Sequence, residues 1–127
     1  MNKNDKKIFE LKKKLENRKL ELGDKPKITY KTNCIFNLFG QNYNIHAMNS
    51  VELKLIFKML QMIDEPNLEL NGFAIADYLE DISNEMIKIN YNLKALEIKR
   101  LETGLDELIS TEGKTSIEIE KIAKLIG

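Results

Sequence analysis

Residues 74–110 read AIADYLEDISNEMIKINYNLKALEIKRLETGLDELIS. Within them Ile75, Leu79, Ile82, Met86, Ile89, Leu93 and Leu96 recur at alternating spacings of four and three. That rhythm lays a narrow apolar seam along one face of a helix, the pattern of coiled-coil packing. The next seam position falls on Arg100, yet the apolar series resumes at Leu101, Leu105 and Leu108. The register therefore skips one residue near position 97, which local unwinding or a change of packing partner would absorb. Gly104 lies inside this second stretch, where glycine costs a helix about 1 kcal/mol relative to alanine.

A helix of this length spans roughly 54 Å at about 1.5 Å per residue. A compact globule made from the whole chain is only about 36 Å across. The seam is thus expected to outrun the rest of the molecule and to need a companion, and the simplest is a second copy of the chain. The reading is a homodimer whose seam is Ile75, Leu79, Ile82, Met86, Ile89, Leu93 and Leu96.

On the amino-terminal side, Pro66 and Gly72 separate the seam helix from a strongly apolar segment, residues 49–64. Asn49 with Glu52 three residues on forms a capping-box start. Val51, Leu53, Leu55, Ile56, Phe57, Met59, Leu60, Met62 and Ile63 leave few polar positions, so this buried helix is expected to be central or covered by a partner. Between the two helices, residues 67–72 read as a short strand or a loop.

Further upstream the period changes to two. Ile28, Tyr30, Cys34, Phe36 and Leu38 alternate with mostly polar residues, and Gly40-Gln41 suits a tight Gly-X turn. A β-hairpin over 27–48 follows, with Leu38 facing Tyr43, Phe36 facing Ile45 and Cys34 facing Ala47. A one-residue slip would turn Tyr43 and Ile45 to the wet face.

The first 22 residues form a basic helix with Ile8, Leu11, Leu15, Arg18 and Leu22 on one stripe. Arg18 interrupts it and calls for a carboxylate or a route to solvent. Thr115-Ser116-Ile117-Glu118 opens a short last helix, 115–126. The whole is a mainly helical α+β chain read as one domain, 1–127: basic helix, hairpin, buried helix, long coiled-coil-like helix and short terminal helix.

Composition narrows the function. The 127 residues carry one cysteine and one histidine, too few for a Cys/His zinc site, a disulfide framework or a CxxC redox pair. No cofactor motif is present, neither a Gly-rich phosphate loop nor HExxH nor an EF-hand. No apolar run approaches a membrane span, and the charged start lacks the apolar region of a signal peptide, so a cytoplasmic chain is expected. Arg18 and Arg100 are the only arginines amid many Lys, Asn and Ile, the usage of an AT-rich genome.

Charge is balanced overall, twenty against twenty, but unevenly spread. Residues 1–31 hold eleven basic and five acidic side chains, and the remainder nine and fifteen. Lys12, Lys13, Lys14, Lys27 and Lys31 are the candidate phosphate-binding residues. Asp77, Glu80, Asp81 and Glu85 form an acidic ridge away from the seam, suited to docking a basic partner. Acidic residues 64–85 are expected to lie beside the basic first helix.

Cys34 and His46 fall on opposite faces in the expected hairpin register and do not make a nucleophile–base pair. Catalysis is not expected. At the hairpin tip, Phe39, Asn42, Tyr43 and Asn44 offer a protein contact, and Phe39 stands on an otherwise polar face where a phenyl ring wants cover. The sequence thus points to a non-catalytic, dimeric protein-interaction module. Its size and composition suit a phage or mobile-element accessory that inhibits a larger host protein, such as a defence system, in the host cytoplasm. The alternatives are a nucleic-acid-binding accessory using the basic face and a scaffold subunit.

Overall fold

A computed structural model describes residues 3–63, 65, 67–110 and 116–127. The elements run α1 (Lys3–Leu22), β1 (Ile35–Leu38), β2 (Gln41–Asn44), α2 (Ser50–Gln61), β3 (Glu69–Leu70), β4 (Phe73–Ala74), α3 (Ile75–Ser110) and α4 (Ser116–Ile126). The α+β, mainly helical class and the order of the four helices and the first hairpin are those read from the sequence; the strand pair β3–β4 is an addition to it. The single domain resolves into two compact units, Pro26–Asn90 and Met1–Lys25 with Tyr91–Gly127. The first part of α3 belongs to one unit and the remainder to the other.

In the Pro26–Asn90 unit the core gathers Phe36, Leu38 and Ile45 from the hairpin region, Leu53, Ile56 and Leu60 from α2, and Tyr78 and Ile82 from α3. Asn49 caps α2 with a complete capping box, as its spacing with Glu52 predicts. Only one face of α2 is covered, however. Val51, Leu55 and Met62 are 67%, 64% and 82% exposed, so of the two expected placements, central or covered by a partner, the central one is corrected. The hairpin and α3 reach one side of the helix, and no described residue covers the other.

The hairpin register also differs from expectation. Ile35 pairs with Asn44, Phe36 with Tyr43 and Leu38 with Gln41. The turn residues are Phe39 and Gly40, at φ 52° and 81°. Positive φ at both central positions is the type I′ geometry, whose twist matches that of the strands. The Gly-X turn at 40–41 would need only its first residue there. Moving the turn back by one changes each pairing by two residues, so Tyr43 keeps its face and stacks on Phe36 at 5.3 Å between centroids. Strand pairing starts only at Ile35, because Cys34 adopts φ 63° and breaks the extended run. Asn71-Gly72 makes the same kind of turn, at 53° and 84°, between β3 and β4; residues 69–70 are thus a strand.

The seam of α3 is largely covered from within. Ile82 is fully buried, and Ile75, Leu79, Met86 and Ile89 pack against the core of their own unit. Leu93 and Leu96 are 58% and 44% exposed. The need for a second copy along Ile75–Leu96 therefore falls away for five of the seven seam residues.

In the other unit Ile8, Leu11 and Leu15 of α1 meet Leu101, Leu105 and Leu108 of α3 and Ile119 and Ile126 of α4. The register skip thus passes α3 from one core to a second, with Ile98 buried at the start of the new stripe. Arg18 finds its carboxylate in Glu97, at 3.9 Å. The lysines of α1 pair with acids of α3 and α4, Lys12 with Asp106 at 3.5 Å and Lys7 with Glu120 at 4.0 Å. Each of these carboxylates belongs to the same unit as α1. The capping box expected at Thr115 lies outside the described residues.

Gly104 lies inside α3, where a Cβ would stand 3.4 Å from Ile122 Cδ1, the mobile end of a side chain. Gly104→Ala is therefore expected to stabilise the protein, by up to about 1 kcal/mol, seen as a higher urea midpoint. In the same assay Ile82→Ala should cost about 2–5 kcal/mol and Leu93→Ala under about 0.5 kcal/mol. Equal losses at the two positions would restore a seam buried along its whole length.

Candidate functional site

Residues 29–34 carry no ladder hydrogen bonds, so their backbone donors must be met elsewhere. They are met by α3. Asp81, fully buried, accepts from the backbone N–H of Lys31 at 2.7 Å and of Thr32 at 2.9 Å, and from Thr32 Oγ1 at 2.6 Å. Thr32 Oγ1 in turn accepts from Cys34 N at 2.9 Å. That bond helps hold the turn of chain at Cys34, whose Sγ lies 3.8 Å from Asp81 Oδ2.

One helical turn on, Glu85 is 4% exposed. Its Oε2 accepts from the Tyr30 hydroxyl and lies 3.2 Å from His46 Nδ1. The Tyr30 and His46 rings meet edge to face at 4.8 Å. Asn84 Nδ2 donates to Thr29 O, and Lys31 Nζ sits 2.7 Å from Glu80 Oε2. Tyr78 adds a bond to Leu70 O at 2.7 Å. Together these contacts clasp the segment before the hairpin onto α3.

The acidic ridge is thereby corrected. Asp81 and Glu85 face inward and are occupied, Glu80 is paired with Lys31, and Asp77 is half-buried. A sequence signal for this existed: Tyr78, Asp81 and Glu85 follow one another at spacings of three and four directly beside the seam residues Ile82 and Ile89. What the sequence lacked was the partner, because the donors come from residues 30–34 and 46, distant in the chain.

The electrostatics are those of a structural cluster. Burial and the Asp81 carboxylate push the Cys34 thiol up to about 11, and burial with the Glu85 hydrogen bond raises the Tyr30 phenol above its ordinary range. A thiol so held is not a nucleophile near neutrality. Cys34 and His46 do not sit on opposite sheet faces, since neither belongs to the β1–β2 ladder. Glu85 and His46 resemble a base with its orienting carboxylate, yet no hydroxyl or thiol is hydrogen-bonded to the imidazole among the described residues. Nor does any group of three His, Cys, Asp or Glu suited to a metal occur among them.

The other candidates disperse. Lys12 and Lys31 are paired, Lys13 lies over the Phe9 ring at 4.9 Å, and Lys14 and Lys27 are exposed. At the hairpin, Asn42 accepts from Asn37, Asn44 caps the following turn, and Tyr43 is half-buried on Phe36. Asn42 and Asn44 are nonetheless exposed, and so is Phe39, at 82%. Among the described residues no helix is long and apolar enough to cross a membrane. Comparison with protein-family models, with curated proteins and with solved structures gives no match.

The clasp has measurable consequences. Asp81→Ala strands two backbone amides and is expected to cost about 2–4 kcal/mol, read from urea unfolding. Stability should also fall as pH rises. Below pH 9 the thiol keeps its proton in both states. From 9 to about 11 the unfolded chain ionises while folded Cys34 stays protonated, so the unfolded state gains across that window. Cys34→Ala should flatten that part of the profile; an unchanged slope would separate it from the thiol.

Proposed function

We propose that the protein is a non-catalytic protein-binding module that presents the tip of the β1–β2 hairpin to a larger protein. The observation that carries this reading is Phe39. A phenylalanine at φ 52° occupies the left-handed region, where a side chain costs roughly 1–2 kcal/mol. Being 82% exposed, it returns nothing to the core. Asparagine would serve the turn better. Strain held at an exposed aromatic is the signature of a contact residue.

Two further features support the reading. The outer face of α2 leaves large apolar side chains in water, an arrangement associated with interaction surfaces. The buried Asp81–Glu85 clasp ties the chain leading into the hairpin to α3, giving the tip a firm base. Small size and AT-rich residue usage suit an accessory protein of a phage or mobile element acting on a host protein. The nucleic-acid reading draws less support, because carboxylates already neutralise Lys12 and Lys31.

Phe39→Asn separates stability from function. The variant is expected to gain about 1 kcal/mol in unfolding free energy while losing the partner that the wild-type chain retains from native cell extract. Retention undiminished in Phe39→Asn would remove Phe39 as the contact. No specific partner retained by the wild type would remove the reading itself.

A further inference from the structure

We infer that a second part of the binding surface, the outer face of α2, receives an amphipathic helix with an acidic flank; this rests on the protein-binding reading above. Val51, Leu55, Met59 and Met62 follow one another at spacings of four, four and three, so they form one stripe along α2. Beside the stripe a shallow groove lined by Tyr43, Met48, Glu52, Leu55, Ile56 and Met59 continues onto the hairpin. A straight apolar stripe next to a groove matches an incoming helix that carries apolar anchors three and four residues apart. Met48 and Met59 line the groove and Met62 ends the stripe, and their unbranched thioethers adapt to a partner's shape.

Charge selects among the occupants. Lys54 and Lys58, one turn apart, border the stripe and are exposed. Elsewhere in the same unit Lys31 is matched by Glu80 and Lys88 by Glu85. Among the described residues no carboxylate pairs with Lys54 or Lys58. On the opposite border Glu52 is engaged, its Oε1 accepting from the Asn49 N–H at 3.2 Å. Its donor is a neutral amide, so Glu52 keeps its charge, and the stripe is bordered by two lysines on one side and one glutamate on the other, a net positive balance. A second copy docked antiparallel by the same face would set this lysine border against its own equivalent. Like charges oppose that arrangement, whereas glutamates or aspartates flanking a foreign helix complete it.

The test uses the full chain and two synthetic helical peptides of about fifteen residues. Both carry leucines at helical spacing, one flanked by glutamates and the other by lysines. Fluorescence anisotropy should show the glutamate peptide binding about fivefold or more tightly. Methyl NMR should place it on Val51, Leu55, Met59 and Met62. Leu55→Glu should abolish binding, and Lys54→Glu with Lys58→Glu should invert the preference, both variants keeping the wild-type circular dichroism. Absent methyl shifts, equal affinities, or a preference that survives the charge reversal would overturn the inference. So would a wild-type dimer, in light scattering, that Leu55→Glu dissociates. A native partner lost with Phe39→Asn but indifferent to both α2 variants would overturn the acidic helix and leave the binding module standing.

Discussion

A carboxylate taken out of water must be met by donors, and Asp81 meets its donors in the backbone of residues 31 and 32. This exchange organises the Pro26–Asn90 unit. The segment before the hairpin has no strand partner of its own, so its amides need acceptors; α3 has two buried carboxylates, so it needs donors. Each need satisfies the other. Glu85 extends the arrangement to Tyr30 and His46, and Thr32 passes it to Cys34. The hairpin therefore leaves α3 from an anchored start, which is what an aromatic at its tip requires if it is to meet a partner in one orientation.

Turn chemistry determines where that tip lies. Both hairpins close on a residue followed by glycine with both at positive φ, Phe39-Gly40 and Asn71-Gly72. At the second site the sequence supplies asparagine, which tolerates that conformation. At the first it supplies phenylalanine, which does not. The contrast within one chain is the reason to treat Phe39 as kept for contact and Asn71 as kept for the turn.

The long helix has a different logic. Its apolar stripe changes azimuth near residue 97, and the change coincides with a change of core: Tyr78 and Ile82 serve one, Leu101, Leu105 and Leu108 the other. A skip in a heptad pattern reads as a defect if one partner is assumed for the whole seam. With two sets of neighbours it is the point where each core takes the face it needs.

Element order, helix limits, the α2 capping box and the pairing need of Arg18 were all legible in the sequence, because periodicity and capping act between residues near in the chain. Which side of an element is covered was not. Val51 and Leu53 look alike in a pattern, yet one stands in water and the other in the core. Asp77 and Asp81 look alike on a helix, yet one is half-buried and the other wholly so. The hairpin register turned on a left-handed phenylalanine that propensity disfavours. Local spacing records that a side chain is apolar or charged, and only the folded chain decides what stands opposite it, since the neighbours that bury a seam or satisfy a carboxylate come from segments some fifty residues away, Tyr30 with Glu85 and Lys31 with Asp81.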